Sequence, residues 1–196
     1  MLRIVRALSN AVFAIAIHLR IYFKFLSLIP IDPVISPNRT KVLIPLIYWG
    51  TTKAVWFQIL IALKFMKLGH DIVFVFDYRH TKITSVVPFL LMTIVKAFIH
   101  KITKKRKLDC IDLAKLKTQT VTEKDKETAV LAAYFNTQWE QKKSISIELV
   151  EEYSKTIKEY EDRIGKMYDV FYKYKFNICF CPGGIYGSSF LWRKMC

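Results

Sequence analysis

Between Lys41 and Asp77 the chain runs through an apolar stretch, a short polar turn, a longer apolar stretch, a glycine and a second apolar stretch. That order leaves few folds open. Lys41 to Tyr48 reads Lys-Val-Leu-Ile-Pro-Leu-Ile-Tyr, the near-continuous apolar run expected of a parallel strand buried on both faces. Pro45 is awkward there, because proline has no N–H to give a central strand. Trp49, Gly50, Thr51 and Thr52 make a turn with hydroxyls placed to cap a helix from about Lys53 to Leu68. Gly69 supplies the usual stop. After His70 and Asp71, Ile72 to Phe76 form a second buried strand that ends at Asp77. Parallel neighbours need a crossover, and a helix between the strands provides it, so the segment predicts a βαβ unit of the Rossmann type.

A chain of 196 residues has room for one sizeable core, or for one domain with an appended helical or membrane element. With 53% apolar residues and only six glycines and six prolines, neither disorder nor a turn-rich all-β architecture fits. The net charge of +15 attracts phosphates, whether on nucleic acid, anionic lipid or nucleotide sugar. No nucleic-acid module is recognisable, so no specific nucleic-acid partner is expected. Cys110, Cys179, Cys181 and Cys196 are unevenly spaced, which points away from a disulfide framework and towards a reducing, cytoplasmic setting. Cys179 and Cys181 lie one residue apart, on opposite faces of an extended strand, and no His follows at finger spacing; no metal is expected.

Residues 1–30 mix apolar and basic side chains. Arg3, Arg6, Asn10, Arg20, Lys24 and Ser27 fall on one helical stripe, interrupted by Phe13 and Ile17. The uncharged run between Arg6 and His18 is about half of the roughly 20 residues a spanning helix needs. An amphipathic helix lying in the membrane plane, or one packed on the domain, is expected instead. It lacks the small-residue cleavage pattern of a signal peptide. Pro33, Pro37 and their neighbours make residues 31–40 a stiff linker. The remainder, 41–196, reads as a Rossmann-like domain with a helical insertion at about 83–175. Within that insertion a helix over Ile83–Ile99, with Pro88 in its first turns, leads into Lys101, Lys104, Lys105, Arg106 and Lys107. This pairing is either a membrane-facing device or a core helix followed by a solvated basic turn. From about Ser144 to Lys175, Tyr153, Ile157, Tyr160, Ile164, Met167 and Phe171 keep a 3-4 spacing, predicting a long amphipathic helix with a partner seam. Gly165 weakens it by about 1 kcal/mol. Phe176 to Phe180 is a third strand, followed by Pro182-Gly183-Gly184-Ile185-Tyr186-Gly187-Ser188-Ser189 and a last helix that is cut short.

Ligands of open parallel sheets bind beyond the carboxyl ends of the strands. The candidate substrate-binding residues are therefore Gly50, Thr51 and Thr52 in one loop and Gly183, Gly184, Gly187, Ser188 and Ser189 in the other. Glycines let backbone approach a ligand, and helix-starting amides with hydroxyls nearby favour a phosphate or a sugar hydroxyl. Plain turn chemistry is the competing reading. Neither loop has the spacing of a dinucleotide fingerprint or a P-loop, so no cofactor is expected. Asp77 and His80 lie at the carboxyl end of the second strand, and Asp77 is the candidate hydrogen-bonding carboxylate or base. His70 lies at the other end and reads as structural. Membrane contact is assigned to Arg3, Arg6, Arg20, Lys24, Lys104, Lys105, Arg106 and Lys107.

The stretches Val42–Asp77 and Cys181–Trp192, the latter with its Pro-Gly-Gly-Ile-Tyr-Gly-Ser-Ser core, resemble the N-terminal Rossmann-like half of GT-B glycosyltransferase-like proteins, particularly those of capsular polysaccharide biosynthesis. The resemblance implies a peripheral protein at the cytoplasmic face of the membrane. Its N-terminal domain handles a glycan or lipid-linked acceptor, and a C-terminal domain binds the nucleotide sugar. That pattern continues beyond the glycine-serine loop into further strands and a second domain, whereas this sequence ends at Cys196. The expectation is a truncated, acceptor-side half that is inactive alone. The alternative is a non-catalytic basic scaffold or binding protein held at a membrane.

Overall fold

The computed structural model describes residues 2–30, 39–47, 54–77, 86–141, 150–181 and 187–196. Its fold is α/β, with a four-stranded parallel sheet flanked by six helices, consistent with a Rossmann-like arrangement. The chain divides into two compact units, Met1–Ile111 and Asp112–Cys196. The division falls inside the interval that the sequence reads as a helical insertion.

The first unit opens with α1 (Leu2–Leu26) and continues with β1 (Lys41–Ile47), α2 (Ala54–Lys67), β2 (Asp71–Asp77), α3 (Val86–Arg106) and β3 (Asp109–Asp112). Strands β1 and β2 pair in parallel from Lys41↔Asp71 to Ile47↔Asp77, and β3 lies on the other side of β2. Val42–Ile47 and Ile72–Asp77 are buried throughout, as a strand covered on both faces must be. Pro45 does not interrupt the pairing: it stands opposite Val75, with the register kept on either side. Helix α2 packs on both strands, burying Val55, Trp56, Ile59, Ala62, Leu63 and Met66. It ends where the sequence predicts. Gly69 has φ 87°, and the His70 amide donates to the Phe65 carbonyl at 3.1 Å, the long return bond of a Schellman stop.

Helix α3 corrects one expectation. The basic cluster is not a turn after the helix, because the helix runs on through Lys101, Lys104, Lys105 and Arg106. Only Lys107 lies beyond it, with φ 50° and the Leu108 amide reaching back to the Thr103 carbonyl at 3.1 Å. Basic side chains favour a helix carboxyl end, where the peptide dipoles leave partial negative charge; the charges that suggested a turn instead stabilise the last turn of helix. Leu91, Val95, Phe98, Ile99 and Ile102 form the buried stripe of α3. Phe98 meets Tyr22 and Phe25 of α1 and Trp56 of α2 edge-on at 5.4, 6.1 and 5.4 Å, the geometry that aromatic quadrupoles prefer. The Trp56 indole N–H also donates to His18 Nδ1 at 2.9 Å in the buried interior.

Among the described residues the second unit holds a 3-10 turn (Leu113–Lys115), α4 (Glu123–Gln141), α5 (Val150–Lys173), β4 (Ile178–Cys179) and α6 (Gly187–Met195). Its three helices pack on one another. Ala129, Ala132 and Ala133 on α4 are fully buried, and such small side chains let helices approach closely. Around them lie Tyr160, Ile164, Met167 and Val170 of α5 and Phe190, Leu191 and Trp192 of α6. The partner seam expected of α5 is therefore filled by α4 and α6. Gly165 has a packing reason as well: a Cβ there would lie 2.5 Å from the Gln119 carbonyl oxygen, whose residue also donates its amide to the Gly165 carbonyl at 3.2 Å.

Candidate functional site

In the first unit the polar chemistry at the two ends of the sheet differs. At the amino end, Arg39 pairs with Asp71, Thr40 Oγ1 lies 2.8 Å from His70 Nδ1, and the Asp71 amide donates to the Thr40 carbonyl at 2.9 Å. These contacts tie the strand starts together, and His70 is structural. At the carboxyl end two polar side chains are almost fully enclosed. Asp77, the last residue of β2, is 1% exposed and Gln58, from the second turn of α2, is 0% exposed. Gln58 Oε1 accepts the Ile47 amide at 3.1 Å, closing the end of β1. Among the described residues its buried Nε2 has no hydrogen-bond partner. An amide donor left unsatisfied in a core costs about 1–3 kcal/mol. Ile47, whose amide Gln58 binds, stands opposite Asp77 in the register, so the Gln58 side chain and the Asp77 carboxylate both belong to the carboxyl end of the β1–β2 pair.

The candidate loop residues Gly50, Thr51 and Thr52 lie outside the described residues, as do His80, Gly183 and Gly184. The remaining three, Gly187, Ser188 and Ser189, form the first turn of α6 and are buried. Gly187 has φ 50°, a backbone that side chains other than glycine adopt at a cost. Ser188 Oγ accepts a hydrogen bond from Arg163 of α5. Ser189 Oγ is buried with no hydrogen-bond partner among the described residues, while its carbonyl accepts from the Cys181 thiol at 3.3 Å. Arg163 is 5% exposed, and its guanidinium lies 5.6 Å from the Tyr160 ring centre. Sequence reading missed both Arg163 and Gln58. Each could have been found by its spacing, Arg163 three residues after Tyr160 and one before Ile164, Gln58 between Phe57 and Ile59 in an apolar helix.

Among the described residues no three His, Cys, Asp or Glu side chains come together as metal ligands, and none of the four cysteines is in a disulfide. Of the residues assigned to membrane contact, Arg20 and Lys24 are exposed on α1, and Lys104, Lys105 and Lys107 are exposed at the end of α3, with Arg106 half-buried. Arg3 and Arg6 belong to α1, but their side chains lie outside the described ones. Charge is divided very unequally. The first unit has 17 Lys and Arg against four Asp and Glu, a net +13, and the second has 14 against 12, a net +2.

Set beside known protein families, curated proteins and solved structures, the chain matches none of them.

Proposed function

We propose that this chain is the acceptor-side, N-terminal domain of a GT-B glycosyltransferase-like protein of surface or capsular polysaccharide biosynthesis. It acts at the cytoplasmic face of the cell membrane, with the nucleotide sugar bound by a separate C-terminal domain. The observation that carries the reading is the carboxyl end of the β1-α2-β2 unit, where the buried Gln58 of α2 caps Ile47 at the end of β1 and Asp77 ends β2 directly opposite. A sugar hydroxyl both donates and accepts hydrogen bonds. It can therefore accept from an amide and donate to a carboxylate, in the place where open parallel sheets take their ligands. In a complete enzyme Asp77 then orients the acceptor hydroxyl or receives its proton.

The test is a thermal-shift panel with free and lipid-linked oligosaccharides beside UDP-, GDP- and CMP-sugars. An acceptor at a hundredfold excess over its Kd stabilises the fold by about 2.7 kcal/mol. Stabilisation by acceptor, lost in Asp77→Asn, is expected. A response to nucleotide sugars alone would overturn the division of labour, and no response to any acceptor would favour the second reading. That reading, a non-catalytic basic scaffold at a membrane, is supported by the concentration of charge in the first unit.

A further inference from the structure

Helix α1 is apolar on two sides. One side carries His18, Tyr22 and Phe25 into the aromatic cluster with Trp56 and Phe98. On the other, Val12, Phe13, Leu19 and Phe23 are exposed, Phe13 by 68% and Phe23 by 65%. Arg20 and Lys24 share that exposed stripe. A helix that is apolar all round belongs in a core or against lipid, and here only half of it is covered. The uncovered side continues into an open groove of about 460 Å³ between α1 and α2, lined by Ile21, Lys24, Leu28, Phe57 and Leu60 over a floor of Phe25 and Trp56. On α2 the exposed stripe likewise passes from Phe57 and Leu60 to Lys64 and Lys67. No acidic residue occurs in Leu2–Pro30 or in Arg39–His70, so nothing on these elements neutralises the basic side chains.

We propose that the exposed side of α1, together with its groove against α2, is a docking surface for an anionic lipid bilayer. Phe13, Phe23, Phe57 and Leu60 enter the headgroup–acyl boundary, and Arg20, Lys24, Lys64 and Lys67 meet the lipid phosphates. Charge decides the occupant. A second copy of the chain would bring another unit of the same +13 against this one, whereas an anionic bilayer supplies opposite charge at its surface and apolar volume just beneath. The segment Ser9–Leu26 is long and apolar enough to cross a membrane. Its packing on α3 and the hydrogen bond from Trp56 to His18 instead keep one side on the protein and leave the other for the bilayer plane. The proposal rests on the membrane-face placement given above, and not on the sugar chemistry.

The experiment is flotation of the full chain with phosphatidylcholine vesicles, with and without an equimolar share of phosphatidylglycerol. Binding to the anionic vesicles alone is expected. Replacing one exposed aromatic, Phe57→Ser, weakens partition about tenfold, and adding Phe13→Ser and Phe23→Ser weakens it further, as loss of buried apolar area requires. Absence of flotation overturns both the placement and the surface. Flotation unchanged in the triple variant but lost when Lys104, Lys105, Arg106 and Lys107 are changed to Glu overturns this surface and leaves the placement standing. Equal binding to neutral vesicles, or a concentration-dependent dimer abolished by Phe57→Ser, overturns the anionic bilayer as occupant. Should the triple variant unfold, the unaltered chain still decides: Trp56 lines the groove, so lipids brominated in their acyl chains quench tryptophan fluorescence of the bound protein, and unquenched emission overturns the proposal.

Discussion

The two units solve the same problem of stability with different materials. The first encloses two strands that are apolar between their ends, together with an aromatic cluster. Apart from Asp77 its core, among the described residues, is uncharged, while the charge of the unit is nearly all of one sign. The second is close to neutral and is cross-linked by polar side chains. Thr118 bonds to Asp162, Gln119 to Asp169 at 2.6 Å, and the Tyr153 hydroxyl to the Val130 carbonyl at 3.2 Å. The Tyr168 hydroxyl reaches Asp125 at 2.6 Å. A unit that balances its own charges can pair its polar groups internally, and the difference teaches that the excess charge here is a property of one unit and not of the whole chain.

The largest effect expected from breaking this contrast is on the apolar side. Phe98→Ala removes the ring at the centre of the α1–α2–α3 cluster and costs about 3–5 kcal/mol, read as a lowered denaturation midpoint with faster hydrogen exchange in β1 and β2. A loss below about 1 kcal/mol would mean that the cluster is loosely packed. In the second unit, Gly165→Ala tests the close approach of residues 118 and 119. Helix propensity alone favours alanine by about 1 kcal/mol, yet the overlap with the Gln119 carbonyl is expected to turn this into a net loss of about 1–3 kcal/mol. A stabilised variant would show that the segment does not lie against α5.

Tyr168→Phe follows, at about 1.5 kcal/mol for a bond to a charged acceptor, and pH sharpens the point. Burial pushes the Asp125 carboxyl up, but the hydrogen bonds from the Thr122 hydroxyl, the Tyr168 hydroxyl and the Thr122 amide outweigh it and hold the group below its ordinary value. Its contribution is therefore present above the ordinary carboxylate pKa and is lost as pH falls through the depressed one. Tyr168 is pushed up to about 12, first by its bond to Asp125, then by burial and by the charge of Asp125. That contribution is complete below the unfolded tyrosine value of about 10 and is lost as pH rises through the folded one. Denaturation midpoints of the native chain should fall at both extremes. In Asp125→Asn the acid limb should flatten; an unchanged acid limb would remove Asp125 from the account. The smallest effect is expected at Arg39→Ala, below about 1 kcal/mol, because the ion pair with Asp71 is solvent-exposed and screened.

What the sequence made legible was governed by range. The β1-α2-β2 unit was readable from short periodic runs ended by Gly69, since every signal lies within a few residues of the element it sets. Helix α5 was equally plain from its 3-4 spacing. Helix α4 was missed, although Thr122 and Asp125 form a reciprocal cap, with the Thr122 amide donating to Asp125 Oδ2 at 2.8 Å and the Asp125 amide to Thr122 Oγ1 at 3.3 Å, a spacing that signals a helix start. Strand β3 escaped because it has four residues and only Ile111 is buried. At the candidate site Asp77 could be placed from the strand alone. Gln58 stands out as a polar residue in an apolar helix, but its role could not be read, because it depends on the Ile47 amide, eleven residues away across a turn. Arg163 depends in the same way on Ser188, 25 residues on.

The two-sided helix at the start of the chain also bears on synthesis. His18 of α1 waits for Trp56 and for the cluster around Phe98, the latter made 80 residues later. At a translation rate of about 5–20 residues per second, that interval is roughly 4–16 s. Until it ends, the apolar side of α1 that is later covered lacks its full set of partners and the other side has none of this cluster, so the helix meets the ribosome's surroundings before it meets its complete core.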